Sequence, residues 1–173
     1  MSGNHHLYVP GPSNVPAAVQ QAIHCPMEDH RNPTIPGLIA PLVEDLKKIV
    51  LTEKGKVVFF PSSGTGCWEA ALQSTLNIGD SVLGASFGQF SMLWLDMCKR
   101  LQFNAITMEE EWGTGANPES YHRELSKDKG HKIKAVLVCQ NETATGVKSD
   151  VLAIRKVLDD LNHPALLMVD GGS

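Results

Sequence analysis

Ile133-Lys134-Ala135-Val136-Leu137-Val138-Cys139 runs directly into Gln140-Asn141-Glu142-Thr143-Ala144-Thr145-Gly146. The first seven residues are apolar except for Lys134 and do not alternate with polar side chains, the pattern of a strand covered on both faces. The next seven form an unusually polar loop. A strand of that kind needs strands on both edges and helices above and below it, so the flanking sequence must supply them.

It does. Val57 to Phe60, Ser81 to Ala85, Asn104 to Met108 and Ala165 to Val169 are further short apolar runs, and helix-like segments alternate with them. Thr65 to Leu76 closes at the Gly79-Asp80 turn. Gln89 to Leu101 has helical spacing, a helix is expected from about Pro118, and Ser149 or Asp150 can cap one that ends at Leu161. Five strands separated by helices imply βαβ units and an α/β fold: a mostly parallel sheet with helices on both faces. Upstream, residues 1–36 read as an arm and Pro-rich lead-in, with Val9-Pro10-Gly11-Pro12 too rich in proline for regular structure. Leu38, Leu42, Val43, Leu46, Ile49 and Val50 mark an amphipathic helix that opens the α/β domain, 37–173.

Composition bounds the function. The chain has 173 residues, a net charge of -4 and a sequence pI of about 5.9, which gives no electrostatic footprint for nucleic acid or an anionic membrane. No run is long enough to span a membrane, and the N-terminus lacks the basic and apolar regions of a secretory signal. Cys25, Cys67, Cys98 and Cys139 are widely spaced, as in a reducing compartment, and the histidines show no zinc spacing, so no metal is expected. Asn141-Glu142-Thr143 is therefore not read as a glycosylation site.

In such sheets ligands sit at the carboxyl ends of the strands. Ser63-Gly64-Thr65-Gly66 lies between a strand and a helix, where N–H groups and hydroxyls could converge on a phosphate, although a Ser/Gly turn with a helix cap fits equally well. Phe87 ends another strand and could stack on a planar ligand, but a single Phe is more often core. Thr143 could donate to a ring oxygen or simply cap a turn. Asp170 emerges from a buried strand, where it could pair with a cationic ring nitrogen or serve as a helix cap. Trp68 and Trp94 read as packing residues, and Glu109-Glu110-Glu111 as a solvated run.

Taken in order, Val9-Pro10-Gly11-Pro12, Ser63-Gly64-Thr65-Gly66 with Trp68-Glu69-Ala70, Gly88-Gln89-Phe90, Asn141 to Val147 and His163 to Gly171 resemble the N-terminal part of a class V aminotransferase. These are fold-type I pyridoxal-phosphate enzymes, and the likeness is to the serine and alanine–glyoxylate members. The resemblance implies the N-terminal part of the family's large domain, with pyridoxal 5'-phosphate as cofactor and a small amino acid and a 2-oxo acid as substrates. Ser63, Gly64, Thr65 and Gly66 would bind the phosphate and Phe87 would stack on the ring. Thr143 would bond the ring oxygen, Asp170 would hold the pyridine nitrogen protonated, and Gly11 would lie near the substrate. It further implies a homodimer, a role in photorespiration and a peroxisomal setting, or a cytoplasmic one where a C-terminal signal is absent.

The family pattern continues past Asp170-Gly171 with a Val where this chain has Gly172, and its Schiff-base lysine and substrate-gripping arginine come later still. None of the lysines here stands in that context, so the chain alone is expected to be inactive. The alternative expectations are a non-catalytic isoform or fragment that associates with a full-length subunit and, disfavoured, a Rossmann-like methyltransferase. The methyltransferase reading lacks an acid at the end of Ser81 to Ser86 to hold a ribose.

Overall fold

The computed structural model describes residues 6–11 and 13–172. Met1 to His5, Pro12 of the proline-rich arm and Ser173 lie outside the described residues. The chain divides into two compact units, Met1–Pro61 and Ser62–Ser173, so residue 36 falls inside the first.

Among its described residues the first unit contains two helices, α1 (Ala17–Ile23) and α2 (Ile35–Ile49), and neither buries a residue. α1 is an addition to the sequence reading: Ala17-Ala18 and Gln20-Gln21 are good helix formers, and Pro16 opens the first turn by accepting from the N–H groups of Val19 and Gln20. α2 carries Pro36 in its first turn and Lys47 and Lys48 in its last, both favourable places. Val57 to Phe60 corrects an expectation. The run forms no strand, and Val58, Phe59 and Phe60 are exposed. An apolar sequence becomes a buried strand only when its backbone groups find a ladder partner, and among the described residues none pairs with it.

The second unit is the expected α/β body. Strands β1 (Ser81–Ser86), β2 (Asn104–Glu109), β3 (Ile133–Cys139) and β6 (Leu166–Asp170) form one parallel sheet in the order β2-β1-β3-β6. Among the described residues the parallel sheet thus has four strands where five were expected. A short antiparallel hairpin of β4 (Asn141–Glu142) and β5 (Val147–Lys148) leaves the end of β3.

Adjacent residues on the central strands feed opposite cores, as the two-residue period requires. Val82, Ala135, Leu137 and Met168 pack with α3 (Gly64–Thr75) and α4 (Gln89–Arg100) through Trp68, Leu72, Trp94, Leu95 and Cys98. Leu83, Val136 and Val138 pack with α5 (Pro118–Lys127) and α6 (Val151–Asp160) through Tyr121, Leu125, Ile154 and Leu158. The Tyr121 hydroxyl ties the second layer to the sheet, donating to the Leu137 carbonyl at 2.9 Å and accepting from Ala85 N–H at 3.2 Å. Burial pushes its phenol well above the usual range, so it stays neutral.

Candidate cofactor site at the carboxyl edge of the sheet

Because the sheet is parallel, β1, β3 and β6 all end on the same edge. Gly84 pairs with Leu137, and Cys139 with Asp170. Phe87, the loop from Gln140 and the Asp170 carboxylate therefore line up along that edge.

The Ser63–Gly66 segment opens α3. Ser63 is its extended N-cap residue, and no side chain caps the helix. The first-turn N–H groups are thus left for another acceptor, except that Gly66 N–H turns back to the Ser63 carbonyl at 2.9 Å. Ser63, Gly64 and Thr65 are exposed and Gly66 is half-buried. Position 66 admits only glycine, because an added Cβ would meet the Ser62 hydroxyl and lie 2.7 Å from Ser62 Cβ. The sequence thus builds an open, uncapped helix start, with a hydroxyl-bearing residue on each side of Gly64, which suits a phosphate dianion.

Asp170 is half-buried at the tip of β6. Its Oδ2 accepts from Trp68 Nε1 at 3.1 Å and its Oδ1 from Gly172 N at 2.9 Å. Trp68 lies four residues, about 6 Å of helix rise, beyond Gly64. The bond spans 102 residues of sequence and puts the carboxylate beside the opening turns of α3.

Phe87 departs from its expected role. Its ring has no exposed surface and packs in the α5/α6 core, while its N–H donates to Ser91 Oγ at 3.1 Å. Stacking requires an accessible ring face, and in this arrangement Phe87 offers none. Thr143 is half-buried in the turn of the β4–β5 hairpin, and Phe87 stands in the turn before α4. Glu142 joins the two: fully buried, it accepts from Phe90 N at 3.1 Å, Ser91 N at 2.9 Å and Ala144 N at 3.3 Å. A Cβ on Gly88 would collide with it, so Gly88 is the residue that lets the carboxylate reach the start of α4. Gly11 belongs to the first unit and stands in open space. Among the described residues, no three His, Cys, Asp or Glu side chains converge on a metal position.

The arrangement holds an anion-accepting helix start, a fixed carboxylate and a polar loop on one sheet edge, and known proteins share the chain that builds it. A serine–glyoxylate aminotransferase of Hyphomicrobium methylovorum is 56% identical over all 173 residues. That of Arabidopsis thaliana is 50% identical over 99% of the chain.

The chain is similar to part of the glyoxylate aminotransferases.

It spans about 43% of the length of those two relatives. No protein-family model matches it. An L-aspartate–glyoxylate aminotransferase of Paracoccus denitrificans is 44% identical over the whole chain, which covers 44% of that protein. The crystal structure of a ureidoglycine–glyoxylate aminotransferase from Bacillus subtilis superposes with a TM-score of 0.83 at 29% identity, covering 94% of this chain and 41% of that one.

Two side chains at this edge escape the sequence reading. Helical spacing marks Trp68 only as a packing residue, and an indole N–H carries no sequence signal for the acceptor it finds 102 residues away. Glu142 lies in the polar loop after β3, and an acid between a buried strand and Thr-Ala-Thr-Gly is the one local signal of an inward turn.

Proposed function

We propose that this chain forms the cofactor-binding part of a pyridoxal-phosphate-dependent aminotransferase that uses glyoxylate as amino acceptor. The observation that carries the reading is the Trp68–Asp170 bond, which holds a carboxylate at the strand edge close to the uncapped start of α3. Pyridoxal 5'-phosphate carries an anion at one end and a basic ring nitrogen at the other. When bound, it supplies an electron sink for removal of an amino acid's α-proton. In this reading Ser63, Gly64, Thr65 and Gly66 receive the phosphate through N–H groups and hydroxyls. Asp170 holds a proton on the ring nitrogen, and Thr143 donates to the ring oxygen. Gly11 belongs to the substrate side. Phe87 joins the ring wall only by turning out of the core that encloses it.

Glyoxylate is the acceptor common to the names of relatives that differ in donor: serine, aspartate and ureidoglycine. The donor is therefore the variable part of the proposal, with serine favoured by the 56% and 50% identical relatives. Homodimerisation, a photorespiratory role and a peroxisomal setting belong to the same reading, and sedimentation and cell fractionation test the first and last.

Titrating the chain with pyridoxal 5'-phosphate while following tryptophan emission tests the cofactor reading directly. Saturable binding at one site is expected, competed by inorganic phosphate. Thr65→Ala and Asp170→Asn should each weaken it about tenfold, since a charge-assisted hydrogen bond contributes roughly 1.5–3 kcal/mol. Binding that neither phosphate nor these variants alter would overturn it. Glycine formation from glyoxylate, with serine, alanine and aspartate offered in turn, then identifies the donor in any preparation that turns over.

A further inference from the structure

Trp68 does more than a packing residue needs to do. It is 8% exposed, its ring stacks on Trp94 at 5.4 Å between centroids and 13° between planes, and Trp94 is 3% exposed. Stacking alone would use both indoles alike. Their N–H groups are instead treated differently: that of Trp94 is buried without a hydrogen-bond partner, whereas that of Trp68 donates to Asp170 Oδ2 at 3.1 Å.

An aspartate carboxylate turns easily about its last torsion, whose preference is broad and two-fold. Here each oxygen has a donor: Trp68 Nε1 at Oδ2, and Gly172 N at Oδ1, 2.9 Å away. The two donors come from α3 and from the chain just past β6, so they fix the plane of the carboxylate. An ionised carboxylate accepts about four hydrogen bonds, which leaves acceptor directions open for a third donor.

We infer that Trp68 is a positioning residue for the cofactor's ring nitrogen: its indole N–H holds Asp170 in the orientation that receives the protonated pyridine, and Trp94 holds the indole. The inference rests on the pyridoxal-phosphate reading and adds to it a residue that never touches the cofactor.

The test uses indole 15N–1H spectra and cofactor binding on the whole chain. In the free protein, Asp170→Asn should shift the Trp68 indole resonance, assigned by its loss in Trp68→Phe, and leave that of Trp112 in place. Trp68→Phe keeps a ring against Trp94 but removes the donor. It should weaken pyridoxal 5'-phosphate binding about tenfold, the value of a charge-assisted hydrogen bond at 1.4 kcal/mol per decade. That loss should vanish in an Asp170→Asn background, and also when the probe is the analogue with a carbon in place of the ring nitrogen.

A purely structural Trp68 gives the opposite pattern, with equal weakening for both probes and no coupling to Asp170; that result overturns the inference. So does a Trp68 resonance indifferent to Asp170→Asn, a measurement that stands even if Trp68→Phe fails to fold. If pyridoxal phosphate does not bind at all while the resonance still responds, the cofactor reading falls and the positioning role falls with it, though the bond stands. Binding without the response overturns the positioning role alone.

Discussion

Glu142 shows how much one side chain can hold. It has no exposed surface, yet it carries a carboxylate that three backbone N–H groups satisfy, two of them at the start of α4. The positive end of a helix favours an anion there, and the same bonds tie the hairpin bearing Thr143 to the turn bearing Phe87. Glu142→Ala would leave those donors buried and unpaired beside a cavity, a loss of about 3 kcal/mol. Glu142→Gln keeps the volume but turns an amide NH2 toward N–H donors, so it should cost less than Ala yet remain clearly destabilising. Urea unfolding reads both. Equal midpoints for wild type and Glu142→Ala would show that the carboxylate is not needed there.

Between α5 and β3 a second acid, half-buried, acts on the elements themselves. Burial alone would raise the Asp128 carboxyl, but N–H groups of Ile133 at 2.7 Å and Lys132 at 3.0 Å, together with His163 at 3.3 Å, outweigh it and hold the group below its ordinary value. A depressed folded value contributes stability that is fully present above the unfolded carboxylate value of about 3.9 and is lost as pH falls through the folded one. Asp128→Asn should therefore be less stable than wild type at about pH 5 and above. The gap should narrow below about pH 4, as urea midpoints on either side of that pH would show; a deficit that persists undiminished in acid would contradict the assignment. The same elements show what the sequence could reveal. β3 matches its apolar run end to end, and β1, α4 and β2 lie within a residue of expectation, because burial on both faces and a period of 3.6 are local signals. The parallel α/β fold followed from that alternation. Val57 to Phe60 did not become a strand, since pairing is decided by a distant partner. The Trp68–Asp170 bond and the inward turn of Glu142 are likewise long-range, and Phe87 had the right position at a strand end but an enclosed ring.

At the scale of the whole second unit, the sheet couples two cores that do not touch each other except through its strands. Val82 and Leu83 on β1, like Ala135 and Val136 on β3, are neighbours in sequence on opposite faces. Losing either helical layer exposes one side of strands whose other side is still packed, so the layers should open together. Two thiols report on this. Cys98 lies in the α3/α4 core and Cys139 in the α5/α6 core, and burial pushes both up to about 12, with the charges of Glu142 and Asp170 adding to the effect at Cys139. Neither forms thiolate at neutral pH, whereas Cys25 and Cys67 are exposed. A disulfide reagent at about pH 8 should therefore modify two thiols rapidly and two only through unfolding. Peptide mass spectrometry at intervals in dilute urea should find Cys98 and Cys139 labelled at one common rate, rising together with denaturant. Two separate rates would mean that one layer peels from the sheet while the other stays folded.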